Sequence, residues 1–513
     1  MSGYTVAALL RKNRSAGLTN PDRTAVIFGD RRVSYDELDE RSSRLASVLH
    51  RSGFERGDRL AVLAYNRVEY LEVFFAVAKL GGVIVPVNYL FKPAEVKHLL
   101  DDSGARWMVV EAPLWESVRP VRGTTKGEVA YISLGGEAPE PDTSSYEEML
   151  LSGSPDGVDV EVSDADVFLL QYTSGTTGFP KGATHTHATV LWNSLHQVAD
   201  FAMTRQDVYL CIPALCWAAG LHDFTLATLW IGGTVVLRPS RGFDPEEVFA
   251  SIEEHRVTMT LFVPSVLRMV LGHELEKHDL SSLRLVLSGG EPVPVPALEE
   301  FSRRLPTCDL LQGYGMSEFP TLMTYLDRDY GVSKRGSAGR ATRITELRVI
   351  DDQGKDVPSG EHGEIVVRSP ATMIGYWERP DATAEALAGG WFHTGDRGYV
   401  DDEGFLFIAG RQKDMIISGG LNVYPAEIER VIEAHPAVKE VAVVGVPDDR
   451  YGEVGEAHVV VAEGAAVTEA ELEALARAEL ANYKVPRRWQ LRAEPLPRTA
   501  SGKLQKFELR RPS

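Results

Sequence analysis

Residues 173–182 read TSGTTGFPKG and follow an apolar run, Val167 to Tyr172. A short apolar run bounded by turn residues has the pattern of a buried strand, so the hydroxyls, the glycines and Lys181 fall where a strand ends and the chain turns. That composition suits a phosphate cradle. Gly175 and Gly178 let backbone N–H groups converge on anionic oxygens, Thr173, Ser174, Thr176 and Thr177 add hydroxyl donors, and Lys181 supplies a mobile positive charge. It is not a Walker loop, because G-x-x-x-x-G-K-[ST] would need glycine where Pro180 stands and Ser or Thr where Gly182 stands.

Outward from this stretch the pattern is α/β. Ser34 and Glu37 form a capping box ahead of a helix over 35–51, with Gly53 just beyond. A strand over 60–64, a helix over 69–80 stopped by Gly81 and Gly82, a strand over 83–87, a helix over 93–102 and a strand over 107–110 follow. Such alternation predicts a parallel sheet covered on both faces. Residues 112–166 are acidic and rich in Gly, Ser and Pro, and read as surface excursions. After the cradle a second α/β run is expected, with helices over 188–199, 243–255 and 266–271 and strands over 208–213, 258–263 and 284–288. The last strand ends at Gly289, Gly290 and Glu291, and residues 312–318 read QGYGMSE. Ligands of open α/β sheets lie beyond the carboxyl ends of the strands, so these loops and the cradle converge on one site.

From residue 346 short β segments and turns predict a small antiparallel unit that closes with WFHTGDRGYVDDEGFLFIAGRQKD. Beyond Lys413 a compact α+β piece is expected, with helix 426–434, strands 440–446 and 456–462, and a helix after the capping box of Thr468 and Glu471. The 513 residues exceed one core, and 44% hydrophobic with 25% charged residues is ordinary globular material. A formal charge of −19 argues against a nucleic-acid surface. An anionic ligand at the cradle must then be met by local donors. The three cysteines show no metal-ligand spacing, which fits a reducing compartment. The first residues lack the order of a signal peptide and no run is long enough for a membrane span, so a cytoplasmic protein is expected.

The cradle string resembles the signature loop of the AMP-forming adenylating enzymes, the superfamily of acyl-CoA synthetases, adenylation domains and beetle luciferases. QGYGMSE, HTGDRG and the C-terminal PRTASGK, in that order, extend the resemblance over nearly the whole chain, most closely toward acid:CoA ligases. It implies a large N-terminal domain, 1–412, of stacked α/β subdomains and a small β subdomain, followed by a mobile α+β domain, 413–513. It implies a two-step reaction in which an acid attacks ATP to give an acyl-adenylate and pyrophosphate, and a thiol then takes the acyl group.

The resemblance also distributes roles. Tyr314 would stack adenine, with Gly313, Gly315 and Ser317 beside it and the backbone of Gly289, Gly290 and Glu291 along the purine. Glu318 would hold Mg²⁺, Asp396 and Arg411 would bind ribose and phosphate, and Lys503 would join the attacking carboxylate to the α-phosphate. Lys413 matches the hinge, and Ser418, Gly419 and Gly420 match a segment lining a pantetheine tunnel. Glu291 stands where a small residue is common. Pro213 is followed by ALCWAAG, so Cys216, Trp217 and Gly220 occupy the acid-pocket segment, and the histidine common there is absent until His222. CoA is the expected acceptor. A carrier-protein thiol, an amine, or activation of a small oxyacid such as nitrite are the alternatives, while the pair Lys181 and Lys503 with Glu318 speaks against a binding protein without turnover.

Overall fold

The computed structural model describes the chain except residues 1–3, 16–22, 137–139, 174–179, 292, 320, 332, 412–413, 419–420, 449, 499–503 and 511–513, and gives the backbone alone at 12–15 and 422. Two large sheets dominate. One has eight strands and the other nine, and each is parallel through its centre with antiparallel strands at an edge.

The helices Tyr35–Arg51 and Val68–Lys79 are packed within one core with residues of both sheets, which includes Phe74, Phe75, Phe168, Tyr209 and Val235. The first starts where the sequence predicts: the Ser34 hydroxyl accepts the Glu37 N–H, the bond that defines a good N-cap. The second is buried on every side from Val68 to Ala78, which is why its sequence shows no polar stripe. Its Lys79 head is paired with Asp39 at 2.6 Å. Tyr35 ties this layer to the nine-stranded sheet by donating to the Gly233 carbonyl at 2.7 Å.

Two expectations need correction. Within 112–166 the segment Ala130–Leu134 is a strand parallel to Trp107–Glu111, with Ile132 and Leu134 buried in the core, and Tyr146 and Leu150 are buried on the helix Tyr146–Ser152. The region is therefore part of the sheet as well as its surface. The chain after the cradle also does not pass straight into a helix. It returns as the strand Gly182–Thr186, antiparallel to Val167–Tyr172, and only then enters the helix His187–Asp200. The cradle is thus a hairpin loop, closed where Thr173 N–H donates to the Lys181 carbonyl at 2.9 Å.

The strands Glu346–Ile350, Gly363–Arg368, Phe392–Val400 and Leu406–Arg411 make the small antiparallel unit. The last part of the chain forms a five-stranded sheet with the helices Pro425–Glu433 and Glu469–Glu479, the latter opened by the Thr468–Glu471 capping box.

Candidate active site

Adjacent parallel strands Leu285–Gly289 and Asp309–Tyr314 place Gly289 opposite Gly313. A Cβ on Gly289 would lie 2.8 Å from the Gly313 carbonyl oxygen and one on Gly313 2.5 Å from Leu322 Cδ2, so the two glycines let the strand ends close into a backbone shelf. Gly290 continues it with a left-handed φ of +88°, and a Cβ on Gly315 would lie 1.1 Å from the Thr321 carbonyl oxygen, so only glycine fits there. Tyr314 stands at the edge of this shelf. Its hydroxyl donates to Asp396 Oδ2 at 2.5 Å, and Arg411 Nε lies 3.5 Å from Asp396 Oδ1. Asp396 and Arg411 face each other because the strands that carry them are paired in that register. The structure therefore brings together a flat ring, a carboxylate and a guanidinium from two separate sheets.

Beyond the ring lies a second group. Lys181 sits over the Tyr376 ring at 5.2 Å, and the Tyr376 hydroxyl donates to Glu318 Oε1 at 2.9 Å. Burial and the Glu318 charge hold the Tyr376 phenol well above its usual range, so it stays a donor. Tyr376 reaches this place on a two-residue strand, Gly375–Tyr376, paired with Gly182–Thr186. No motif in the sequence pointed to it, and its only sign was an aromatic pair, Tyr376 and Trp377, after a glycine. Glu318 is a single carboxylate, and among the described residues no three metal-ligating side chains cluster. That suits a hard cation that keeps waters and shares its oxygens with substrate phosphates, as Mg²⁺ does.

A third group lies at the seam of the two large sheets. Tyr89, past the strand Val83–Pro86, stacks on Trp217, past Val208–Cys211, with ring centres 6.2 Å apart and planes 25° apart. Tyr65 meets Tyr89 edge-on at 5.1 Å. Asn66, which is buried, fixes the seam: its amide donates to the Pro213 carbonyl at 2.9 Å, its Oδ1 accepts Leu215 N–H at 2.7 Å, and its own N–H donates to Ser240 Oγ at 2.8 Å. Cys216 is buried behind Trp217 and its thiol is pushed up to about 12 by desolvation, so it is neither a nucleophile nor a ligand here. Gly220 is buried too, with the Ala214 carbonyl 2.0 Å from where a Cβ would stand, so its smallness serves backbone packing.

All three groups draw on residues at or just past strand ends, with Asp396 added from within the strand Phe392–Val400. Known proteins resemble the chain over nearly its whole length. The family model described as AMP-binding enzyme matches residues 14–377, and the AMP-binding enzyme C-terminal domain matches 427–503. The chain belongs to the AMP-binding enzyme family. Among curated relatives of this AMP-binding enzyme, a feruloyl-CoA synthase from Amycolatopsis sp is 41% identical with 96% of each chain covered. An indoleacetate–CoA ligase from Aromatoleum aromaticum is 39% identical over 97% of this chain and 96% of its own. An anthranilate CoA ligase solved with anthranoyl-AMP superposes with a TM-score of 0.89 at 28% identity, covering 99% of this chain and 97% of that one. The AMP-binding enzyme described here is thus an AMP-forming ligase that activates an acid as its adenylate.

Several residues assigned from sequence lie outside the described part of this AMP-binding enzyme: Ser174, Gly175, Thr176, Thr177 and Gly178 of the cradle, the hinge Lys413, Gly419 and Gly420, and Lys503. Ser418 is buried at the end of the strand Ile416–Ser418, opposite Gly452 of the neighbouring strand. Beneath the QGYGMSE loop the structure adds a buried polar cluster that sequence reading passed over. His185 Nε2 lies 2.9 Å from the Ser317 carbonyl, and burial holds this imidazole down to about 4, so it is neutral and donates. His222 is held to about 3, chiefly by burial, and the buried Asp223 carboxyl is pushed up to about 8 by desolvation. The histidine absent from the acid-pocket segment thus reappears at 222, but inside the core.

Among the described residues no helix is long and apolar enough to cross a membrane.

Proposed function

We propose that this ligase activates a planar aromatic acid and passes it to CoA, with the roles distributed over the three groups described above. The enzyme is an ATP-dependent acid–CoA ligase, and its reaction releases pyrophosphate and then AMP. Adenine lies on the glycine shelf against Tyr314, the ribose hydroxyls share Asp396, and Arg411 bridges ribose and phosphate. Thr173, the cradle loop and Lys181 meet the triphosphate. Glu318, oriented by Tyr376, would hold Mg²⁺, which when bound neutralises phosphate charge. Lys503 stabilises the charge that builds as a carboxylate attacks phosphorus, an electrostatic role. The chain divides at 412/413, with Lys413 as the hinge and Ser418, Gly419 and Gly420 lining the way to the thiol.

The observation that carries the acid assignment is the Tyr89–Trp217 stack at the seam. A flat ring slides against such a face with favourable offset or edge contacts, whereas a flexible chain must be ordered first. The Trp217 indole N–H is buried and has no acceptor among the described residues, which leaves it for a polar substituent of the acid. The feruloyl- and indoleacetate-specific names of two relatives agree with this reading.

The test is a panel of cinnamic, indoleacetic and aminobenzoic acids against straight-chain acids, with ATP and either CoA, a carrier protein or no acceptor, following AMP and pyrophosphate. Aromatic acids with CoA should give the highest kcat/KM. Trp217→Gly should then shift preference toward bulkier acids, each added buried methylene contributing about 0.8 kcal/mol. A destabilised variant with an unchanged order of acids would end the pocket reading.

A further inference from the structure

Glu291 continues the glycine shelf, but its side chain turns away from it toward the C-terminal part of the chain. Arg498 Nη1 lies 2.9 Å from Glu291 Oε1, and Arg498 Nη2 lies 3.3 Å from Glu440 on the strand Val438–Asp448. Arg498 therefore joins a carboxylate of its own unit to one from the unit that carries the adenine shelf. Its place in the chain matters: it stands five residues before Lys503 and is paired in an antiparallel bridge with Leu504, the residue after that lysine. A second contact crosses the same boundary with the signs exchanged, Arg268 lying 3.8 Å from Glu433. Glu433 is crowded by acids: burial raises its carboxyl, and Glu429, Glu291 and Glu440 raise it further. The guanidinium of Arg498 thus sits among carboxylates that would otherwise repel one another across the boundary.

We infer that Glu291 and Arg498 are positioning residues for adenylate formation: their ion pair docks the C-terminal unit so that the stretch carrying Lys503 is presented to the nucleotide. The inference rests on the role given above to Lys503 in the first half-reaction. It explains why a carboxylate occupies the end of a glycine-rich shelf, where its charge would oppose a phosphate unless engaged elsewhere. The pair is partly exposed, 32% and 39% for the two side chains, so each single loss is modest and salt-sensitive. A weak dock also suits an enzyme whose second step needs the small unit to leave.

The two half-reactions are measured separately on the full-length enzyme, adenylate formation by ATP–pyrophosphate exchange and thioester formation from supplied acyl-adenylate and CoA. Arg498→Glu, which places a carboxylate against Glu291 and Glu440, should slow the first about tenfold and leave the second within about twofold. The exchanged pair Glu291→Arg with Arg498→Glu should recover most of the loss, which a merely structural role for either residue would not produce. Raising salt should slow exchange more steeply in the wild type than in Glu291→Gln, which keeps the Arg268–Glu433 contact across the boundary. Equal losses in both half-reactions, no loss, or no recovery in the exchanged pair would overturn the inference. Lys503→Ala separates its failure from that of the underlying reading: if Lys503→Ala still forms adenylate, the role of that lysine is wrong, whereas an inactive Lys503→Ala beside a fully active Arg498→Glu condemns the ion pair alone.

Discussion

The Asp396 carboxylate is held by the Tyr314 hydroxyl and the Arg411 guanidinium among others, and a carboxylate so held can accept from a pair of ribose hydroxyls without rearranging. Contacts of that kind are largely the same in ground and transition states, so Asp396→Ala should raise KM for ATP with little change in kcat. Hydrogen bonds to a charged acceptor are worth about 1.5–3 kcal/mol, a loss of roughly 10-fold to 150-fold, and an unchanged KM for ATP would refute the ribose role. These residues were legible because their motifs are local strings. Tyr376, Asn66 and His185 were not, since each acts through a partner far away in sequence: Glu318, Pro213 and Ser317. The buried Asp223 offers a pH test. The folded carboxyl keeps its proton to about pH 8 while an unfolded one releases it near the ordinary aspartate value of 3.8, so folding binds a proton in that window and stability falls as pH rises through it. Asp223→Asn should therefore flatten the decline in melting temperature between pH 5 and 8. His185 and His222, depressed to about 4 and 3 from 6.5, act in the opposite sense and cost stability as pH falls below 6.5, in wild type and variant alike. Parallel melting curves for the two proteins between pH 5 and 8 would mean that Asp223 is ionised in the fold.

Among the elements, those with a strong period stand where the pattern put them. The helix Tyr35–Arg51 matches its expected bounds because its cap and its apolar face are both written in adjacent residues. The strand Gly182–Thr186 was invisible: GATHT has no apolar alternation, and it is a strand only because Val167–Tyr172 and Gly375–Tyr376 pair with it on either side. Ala130–Leu134 was hidden for another reason, a short apolar run set among turn residues that dominate its surroundings. The seam between the sheets is an element-scale feature with a measurable cost. Asn66→Ala strips partners from the buried Pro213 carbonyl and Leu215 N–H, and at about 1–3 kcal/mol for an orphaned group it should destabilise the protein by about 2–4 kcal/mol. Because Trp217 follows in the same loop, KM for the acid should rise while KM for ATP stays close to wild type. Urea unfolding together with the two KM values tests this, and an equal rise in both would place Asn66 outside the acid site.

For the molecule as a whole, the role proposed for Lys503 requires that it face the α-phosphate in only one of two arrangements of the units. Lys503→Ala should then abolish adenylate formation and leave thioester formation from supplied acyl-adenylate largely intact, and equal loss in both steps would show the assignment to be wrong. The division into a large α/β part and a small α+β part came from the family resemblance, with the change of period after residue 346 only consistent with it, whereas the docking of one on the other depends on charges such as Glu291 and Arg498 whose meeting no local pattern encodes. The short strand Gly375–Tyr376 carries a further consequence, for the order in which the protein comes into being. It lies against Gly182–Thr186, on the side proposed above to meet the triphosphate, and the AMP-binding family match ends at 377, the residue after it. A chain emerging from the ribosome can close the hairpin after Val167–Tyr172 early, yet it cannot set Tyr376 between Lys181 and Glu318 until synthesis has passed that point. On the roles proposed above, the phosphate side of the site would then stay incomplete until most of the polypeptide has been made, and a half-built enzyme would lack the means to use ATP.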